Sequence, residues 1–279
     1  MSAAPGSPHL RSDTEALTVE PKDEAAAFER TSEAIRRQKQ PETIELHEVE
    51  TPHGNPAKFK TRSGTSDLAT VGASNRLWGN LVDEYHLPSG LTGWALDVGA
   101  HIGSVTVPLL LDNPELQVVA IEAVPDNYHL LRENLSLNGV RDRCTALNGA
   151  AWDHNDTIDI EYGYTGSEVA ETHAYIGSVT PWLDAPGDKK SATVRAFTLD
   201  WILSDEMLQG QGFVWVKTDC EGAEHRFFKG PGLKKIGIIE GEWHERDGTP
   251  ESFAKQLSKT HEVTWEQGIG GGPFKAVPR

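Results

Sequence analysis

The chain has 279 residues, a formal net charge of −16 and a mean hydropathy of −0.46. This length suffices for one sizeable α/β domain with extensions and hardly for two, and no apolar run is long enough to cross a membrane. The acidic balance argues against a broad nucleic-acid-binding surface, because phosphate contacts need clustered lysine and arginine.

The N-terminal segment is rich in alanine, glutamate, serine and proline, and this composition predicts a disordered leader over residues 1–40. It begins without a basic stretch followed by an apolar core, so no secretory signal is recognised. The two cysteines, Cys144 and Cys220, lie in apolar strand-like runs and are expected to be reduced core thiols. Together these features predict a cytoplasmic protein.

Residues 41–92 are predicted to form an N-terminal extension that contains a hairpin and a helix. Residues 43–49 alternate as a half-buried strand does, and residues 57–61 are its expected partner across a turn. Residues 75–85 carry the apolar stripe of an amphipathic helix.

Residues 93–279 are predicted to form a single domain in which strands and helices alternate, the signature of a doubly wound sheet. Five parallel strands are expected, at residues 94–98, 117–122, 144–151, 212–218 and 236–240. An extra polar strand at 157–162 precedes an irregular stretch, 163–190, which is long enough to be a lid or an acceptor wall. Residues 192–197 then return to regular structure, and an antiparallel hairpin of 261–266 and 274–277 closes the sheet. This mostly parallel α/β arrangement is the methyltransferase variant of the Rossmann-like fold.

The most informative segment is the turn after the first parallel strand. The strand ends in Asp97, and Gly99 and Gly103 lead into a helix with the spacing D-x-G-x-x-x-G. Dinucleotide binders instead use G-x-G-x-x-G, whose bare amides face a pyrophosphate. An acidic strand tip suits S-adenosylmethionine, which has no phosphate and carries an amino group and a sulfonium. Ala100 and His101 are expected to line this cofactor site, and His101 to shape the loop rather than to catalyse.

The ends of the next two strands offer further cofactor contacts. Glu122 lies 19 positions past Gly103, close to the offset of about 20 at which a carboxylate meets ribose hydroxyls, and Ala123 continues the predicted site. The third strand ends in Ala151 and Trp152, where small residues before an aromatic ring would leave a flat slot for adenine. Core filling is an equally good interpretation of Trp152.

The fourth strand ends in K-T-D-C-E-G-A-E, residues 217–224, at the edge where ligands bind in such sheets. Lys217 and Asp219 are candidate catalytic residues, and Asp219 and Glu221 are also expected beside the cofactor. Glu224 is interpreted as half of a solvated ion pair with Lys217 at a helix N-cap.

His244 follows the fifth strand and is the third candidate catalytic residue. An unperturbed imidazole titrates near neutrality, which suits a general base, although a lone histidine at a strand end is more often structural. No tight set of ligands at metal-site spacing is evident in the sequence, so a base without a metal is favoured over a metal-assisted one.

Four segments together resemble the FkbM family of S-adenosylmethionine-dependent methyltransferases. They are D-V-G-A-H-I-G at 97–103, E-A-V-P-D-N at 122–127, L-D-W-I-L at 199–203 and K-T-D-C-E-G-A-E at 217–224. The last is the most specific, and the resemblance covers roughly residues 94–245. The family more often has asparagine at the place of His101, which affects the detail of the loop.

The resemblance implies a class I methyltransferase fold, S-adenosylmethionine as cofactor and methyl transfer to a hydroxyl of a natural product, sugar or lipid. It also implies that Asp97 and the two turn glycines line the methionine end of the cofactor and that Glu122 binds the ribose. Asp219 and Glu221 would lie beside the methyl-transfer site. The expected partner is a small-molecule acceptor, with no nucleic acid and no membrane insertion.

Two other functions remain open from the sequence. A nicotinamide-dependent oxidoreductase could use a similar fold, but the missing G-x-G-x-x-G and the antiparallel end hairpin count against it. A binding protein that kept the fold and lost turnover is the other alternative, and the intact acidic residues disfavour it.

Overall fold

A computed structural model describes residues 43–63, 65, 67–71, 87–166, 170–176, 190–204, 208–245, 248–266 and 271–279. The predicted leader and the predicted helix at 75–85 lie outside these ranges. The division into leader, extension and domain stays a prediction. None of the helices in the described ranges is both long and apolar enough to cross a membrane.

A sheet of ten strands forms the centre of the protein. In chain order its strands are β3 (Gly93–Val98), β4 (Leu116–Glu122), β5 (Cys144–Ala151), β6 (Thr157–Gly166), β7 (Ala170–Ile176), β8 (Lys190–Phe197), β9 (Phe213–Thr218), β10 (Ile236–His244), β11 (His261–Trp265) and β12 (Gly271–Pro278). Their order across the sheet is β11-β12-β10-β9-β3-β4-β5-β8-β6-β7. The strands from β10 to β8 run parallel, whereas β12 and β11 pair antiparallel at one edge. The predicted fold class, mostly parallel with an antiparallel C-terminal hairpin, is therefore confirmed.

Helices cover both faces of the parallel strands. The helices are α1 (Asp67–Thr70), α2 (Thr106–Asp112), α3 (Pro125–Leu137), α4 (Leu199–Ile202), α5 (Glu224–Phe227) and α6 (Pro250–Leu257). Successive residues of a strand point to opposite faces, so Ala95 belongs to the core under α2 and α3, and Leu96 to the core under α5 and α6. The sheet is therefore wound on both sides, as the near-continuous apolar strands predict.

The N-terminal extension contains a separate hairpin, β1 (Ile44–Glu50) and β2 (Pro56–Arg62). Two asparagines hold it, one on α3 and one at the C-cap of α3: Asn134 Oδ1 accepts from the Lys60 amide at 2.7 Å, and Asn138 Oδ1 accepts from the Lys58 amide at 2.8 Å. Phe59 lies between these amides and is fully buried. The hairpin is thus fastened to the helix that follows β4.

The region after β5 differs from the expectation. Part of the stretch predicted to be irregular, 163–190, forms the end of β6 and the whole of β7, which pair antiparallel. β8 then lies parallel to β5 and antiparallel to β6, so the sheet has six parallel strands rather than five. The periodicity of a sequence indicates which side chains are buried, not which strands pair. The hairpin of β6 and β7 is defined by backbone pairing and was therefore not predicted.

Candidate active site

Residues 97–103, which span the end of β3 and the turn that leads toward α2, are called the glycine turn below. Gly99 has φ +76°, and a Cβ on it would lie 1.8 Å from the carbonyl oxygen of Asp219. Gly103 has φ +94°, and its Cβ would lie 3.0 Å from Leu131 of α3. Only glycine allows both the positive φ and this close approach. The turn therefore passes in backbone contact with the end of β9.

The side chains of Lys217 and of Asp97, the first residue of the glycine turn, lie beneath the rest of that turn. Asp97 is fully buried, and its Oδ2 accepts from Thr106 Oγ1 at 2.5 Å. Lys217 Nζ donates to the Gly99 carbonyl at 2.7 Å and lies 3.5 Å from Asp97 Oδ1. Burial works against the charge of Lys217, but Asp97 and Asp219 outweigh it and raise its pKa above the usual value. A buried ion pair thus fixes the turn from below.

Glu122 holds the glycine turn from the side of β4. Its Oε2 accepts from the His101 amide at 2.7 Å, and its Oε1 accepts from the Val124 amide at 2.8 Å and from Asn127 Nδ2 at 3.4 Å. Burial raises the pKa of Glu122, although these donors and His101 pull it down. Asn148 of β5 donates to the backbone carbonyl of Glu122 at 2.9 Å. The carboxylate is therefore held in one orientation at the strand end.

Three residues, Arg62, Asp67 and His101, connect the extension to the glycine turn and are called the clamp below. Arg62 donates to both carboxylate oxygens of Asp67 at 2.8 Å, and His101 Nε2 lies 3.3 Å from Asp67 Oδ1. Arg62 also donates to Asn127 Oδ1 at 2.7 Å. Burial would raise the pKa of Asp67, but the hydrogen bonds from His101 and Arg62 lower it well below its usual range.

Asp219, Glu221 and His244 form a second cluster, called the acidic pocket below. His244 Nε2 lies 3.9 Å from Asp219 Oδ1 and 3.8 Å from Glu221 Oε2. All three side chains are partly exposed, His244 by 15%. They lie at the ends of β9 and β10, which pair in register up to Thr218 and Gly241.

Glu224 lies behind the acidic pocket and is fully buried. Its Oε1 accepts from His244 Nδ1 and from the Cys220 amide, each at 3.0 Å. Burial works against a charge on His244, but Glu224, with Glu221 and Asp219 further away, raises the pKa of His244 to about 10. The expected solvated ion pair of Glu224 with Lys217 is wrong, because Lys217 turns toward Asp97 and Glu224 binds His244 inside the protein.

The glycine turn and the acidic pocket lie at one edge of the sheet. Val98 pairs with both Ile121 of β4 and Thr218 of β9, so the glycine turn starts level with the ends of its neighbours. The Asp219 amide also donates to the Val98 carbonyl at 3.1 Å. The acidic pocket is therefore next to the glycine turn, at the carboxyl edge where ligands bind in open α/β sheets.

A family model decides what kind of protein has this arrangement. Residues 97–263, more than half of the chain, match the model of the methyltransferase FkbM domain. The chain belongs to this family. The match begins at Asp97 and contains the glycine turn and the acidic pocket, whereas Arg62 and Asp67 of the clamp precede it.

Solved structures resemble the FkbM domain more distantly. TYW2 from M. jannaschii, in complex with AdoMet, is 18% identical over 87% of this chain and 89% of that chain, with a TM-score of 0.43. TYW2 from P. horikoshii, with MeSAdo, is 18% identical over 84% and 70%, with a TM-score of 0.44. The O-methyltransferase from Bacillus cereus, in complex with SAH, is 15% identical over 67% and 74%, with a TM-score of 0.38. At these values the resemblances carry no argument about what this chain binds. None of the curated proteins compared with the chain matches it.

The predicted adenine end of the FkbM domain lies further along the same edge. Ala123 is half-buried, and Ala151 is buried in the core. Trp152 is half-buried, and its ring faces the Arg226 guanidinium at 4.6 Å and the edge of His154. Both interpretations of Trp152, an adenine slot and core filling, stay predictions.

Sequence reasoning missed four residues that fix the site of the FkbM domain: Arg62, Asp67, Thr106 and Asn127. Asn127 falls inside the segment 122–127 that carries the family resemblance, so a signal for it existed. The hydrogen bond from Arg62 to Asn127 joins positions 65 residues apart, and no local sequence motif predicts it.

Proposed function

We propose that this chain is an S-adenosylmethionine-dependent O-methyltransferase that acts on a hydroxyl group of a small molecule. The observation that carries the proposal is the contact between the glycine turn and Asp219, because it brings a cofactor cradle and an acidic pocket together. A methyl donor held by the turn would then have its methyl group beside the pocket.

The cofactor is assigned from the charge and shape of the glycine turn. The turn has no run of bare amides for a pyrophosphate, and the cofactor is a cation with an amino group. Asp97 and Lys217 position the turn from below, and Gly99, Ala100, His101 and Gly103 supply its backbone.

Glu122 is the proposed ribose ligand. A carboxylate offers about four lone-pair sites, and the described residues use three of them. The remaining site accepts a ribose hydroxyl, while Ala123, Ala151 and Trp152 border the adenine. The hydrogen bond from His101 keeps the carboxylate turned toward the cradle.

The chemistry requires alignment and removal of one proton. The sulfonium is already an activated leaving group, so the protein must hold the acceptor oxygen, the methyl carbon and the sulfur in line and exclude water. The O–H proton of the acceptor goes to the Asp219 carboxylate, the oxygen lone pair forms the new C–O bond, and the C–S bond breaks to leave neutral S-adenosylhomocysteine. Glu221 and His244 position the hydroxyl.

The net charge of −16 supports a small-molecule acceptor over a nucleic acid, because an acidic surface repels phosphates. The end of β6 and the whole of β7 lie within the segment, 163–190, for which an acceptor wall is predicted. Selectivity for the acceptor is proposed to lie there.

The test uses S-adenosylmethionine labelled with tritium in its methyl group and a panel of sugars, polyols and phenols. We expect label in a product that survives alkaline hydrolysis, as an ether does, and a loss of about 10²–10⁴-fold in rate for Asp219→Asn. Glu48→Gln is the matched control, because Glu48 is 72% exposed on β1 and pairs with Lys58. Label on nitrogen, on carbon or on RNA, or hydride exchange with a nicotinamide, would contradict the proposal.

A further inference from the structure

The acidic pocket has the dimensions of a metal site. Asp219, Glu221 and His244 each offer one ligand atom, and these atoms lie within 4.8 Å of one another. Ligand atoms that share one ion at bond lengths of about 2.1 Å lie roughly 3–4 Å apart. The distances from His244 Nε2 to the two carboxylates, 3.9 Å and 3.8 Å, are too long for hydrogen bonds. They leave a gap that an ion can fill with small side-chain movements.

The second observation is the hydrogen bond behind His244. Glu224 is fully buried, and its Oε1 binds Nδ1 of His244 at 3.0 Å, so that Nε2 is turned toward Asp219 and Glu221. Histidines that bind metals almost always have their other ring nitrogen held in this way by a carboxylate or carbonyl. A buried carboxylate is costly unless its charge is compensated. The hydrogen bond with His244 compensates the charge of Glu224 and fixes the orientation of the imidazole.

The charges around the pocket favour a cation. Glu224 Oε2 is buried and receives no hydrogen bond from the described residues, and two further carboxylates lie in front of His244. Lys217 is close enough to interact with Asp219, but its ammonium donates to the carbonyls of Val98 and Gly99. A dication that binds His244 Nε2 in place of its proton would offset more of the negative charge of these carboxylates than the proton does.

We propose that Asp219, Glu221 and His244 bind one divalent transition-metal ion, with Mn²⁺ or Zn²⁺ as the best match. One imidazole nitrogen and two carboxylate oxygens suit such ions better than Mg²⁺ or Ca²⁺, which prefer oxygen alone. Three protein ligands leave coordination positions open for an oxygen of the acceptor. The sequence favoured a base without a metal because the three ligands come from two strand ends and have no motif spacing.

The role of the ion rests on the proposed function, whereas its binding does not. An ion in this pocket lowers the pKa of a coordinated hydroxyl, and the proton leaves through a carboxylate oxygen of the pocket. Because Asp219 also contacts the glycine turn, the activated oxygen would lie beside the methyl donor.

The test measures metal binding directly on the full chain at pH 7. Chelator-treated protein is titrated with Mn²⁺, followed by electron paramagnetic resonance of the free ion, and with Zn²⁺, followed by calorimetry. We expect one ion per chain, no such binding in His244→Gln, and affinity about 10–100-fold weaker in Glu224→Gln, which leaves the ligands in place. Glu48→Gln is the control and binds as the wild type does.

Glu221→Gln is the variant least prone to misfolding, because this side chain is 28% exposed and can change without opening the core. Unchanged circular dichroism with lost metal binding in this variant supports the site. A wild-type protein that takes up neither Mn²⁺ nor Zn²⁺ overturns it, and so does unchanged binding in His244→Gln. S-adenosylhomocysteine binding is measured in parallel: its absence contradicts the proposed function, whereas absence of metal binding alone contradicts only the metal site.

Discussion

Gly99 cannot be exchanged for a larger residue without moving the backbone at the end of β9. Its φ of +76° is costly for other residues, and the carbonyl of Asp219 occupies the place of a side chain. The same carbonyl belongs to the residue proposed to take the acceptor proton. The packing of one glycine therefore links the cofactor cradle to the acidic pocket.

Gly99→Ala is predicted to destabilise the protein by about 3 kcal/mol and to weaken S-adenosylhomocysteine binding at least tenfold, because both strain and a clash arise. Gly54→Ala is the matched control: its φ is +83°, but nothing lies within 4 Å of its Cβ position. It is expected to cost about 1 kcal/mol and to leave the affinity unchanged. Urea unfolding and calorimetry measure the two effects. Equal losses of stability in both variants would contradict the packing argument.

The elements around the turn show how the extension supports the site. Arg62 at the end of β2 and Asp67 at the start of α1 reach across to His101, whose amide is held by Glu122. The extension therefore stabilises the ligand edge of the sheet, although it lies outside the residues matched by the family model.

The clamp predicts a pH dependence of stability. The folded pKa of Asp67 is lowered below its unfolded value of about 3.9, so its contribution is complete at neutral pH and is lost as the pH falls below about 5. Asp67→Asn is expected to lose about 3 kcal/mol at pH 7, because the buried Arg62 loses its partner. The difference from the wild type should shrink toward pH 3. Urea unfolding at several pH values measures it, and a difference independent of pH would contradict the role of Asp67.

The sequence predicted the elements that bury apolar side chains on both faces. Strands β3, β4 and β9 are nearly continuous apolar runs, and α3 has a first-turn proline and ends before Asn138 and Gly139. The pairing of β6 with β7 and the place of β8 were not predicted, because edge hairpins depend on backbone pairing that leaves no clear period in the sequence.

The candidate site could be predicted where a single segment carries it. The glycine turn and the acidic residues near Asp219 were found because neighbouring residues form one motif each. The burial of Glu224 and its hydrogen bond to His244 could not be predicted, since Glu224 begins α5, His244 ends β10, and the two meet only when β9 and β10 pair. The arrangement of Asp219, Glu221 and His244 as metal ligands could not be predicted for the same reason.

The whole molecule consists of a doubly wound sheet and an extension that contacts the carboxyl edge of its parallel strands. The glycine turn and the acidic pocket lie at that same edge. The fold and the family do not choose the acceptor, because many chemistries use the same fold. The cofactor is therefore the most direct point at which to test the account. The residues proposed to bind the cofactor lie at the ends of the strands or directly after them.

Calorimetric titration of the full chain with S-adenosylhomocysteine tests the central claim, with NADH as the competing ligand. We predict one binding site for S-adenosylhomocysteine, an affinity about tenfold lower in Glu122→Gln, unchanged affinity in the Glu48→Gln control, and no binding of NADH. The amide can replace only one acceptor oxygen of Glu122, and its NH₂ group would face a backbone donor. Failure of the wild type to bind S-adenosylhomocysteine, or preferential binding of NADH, would contradict the account.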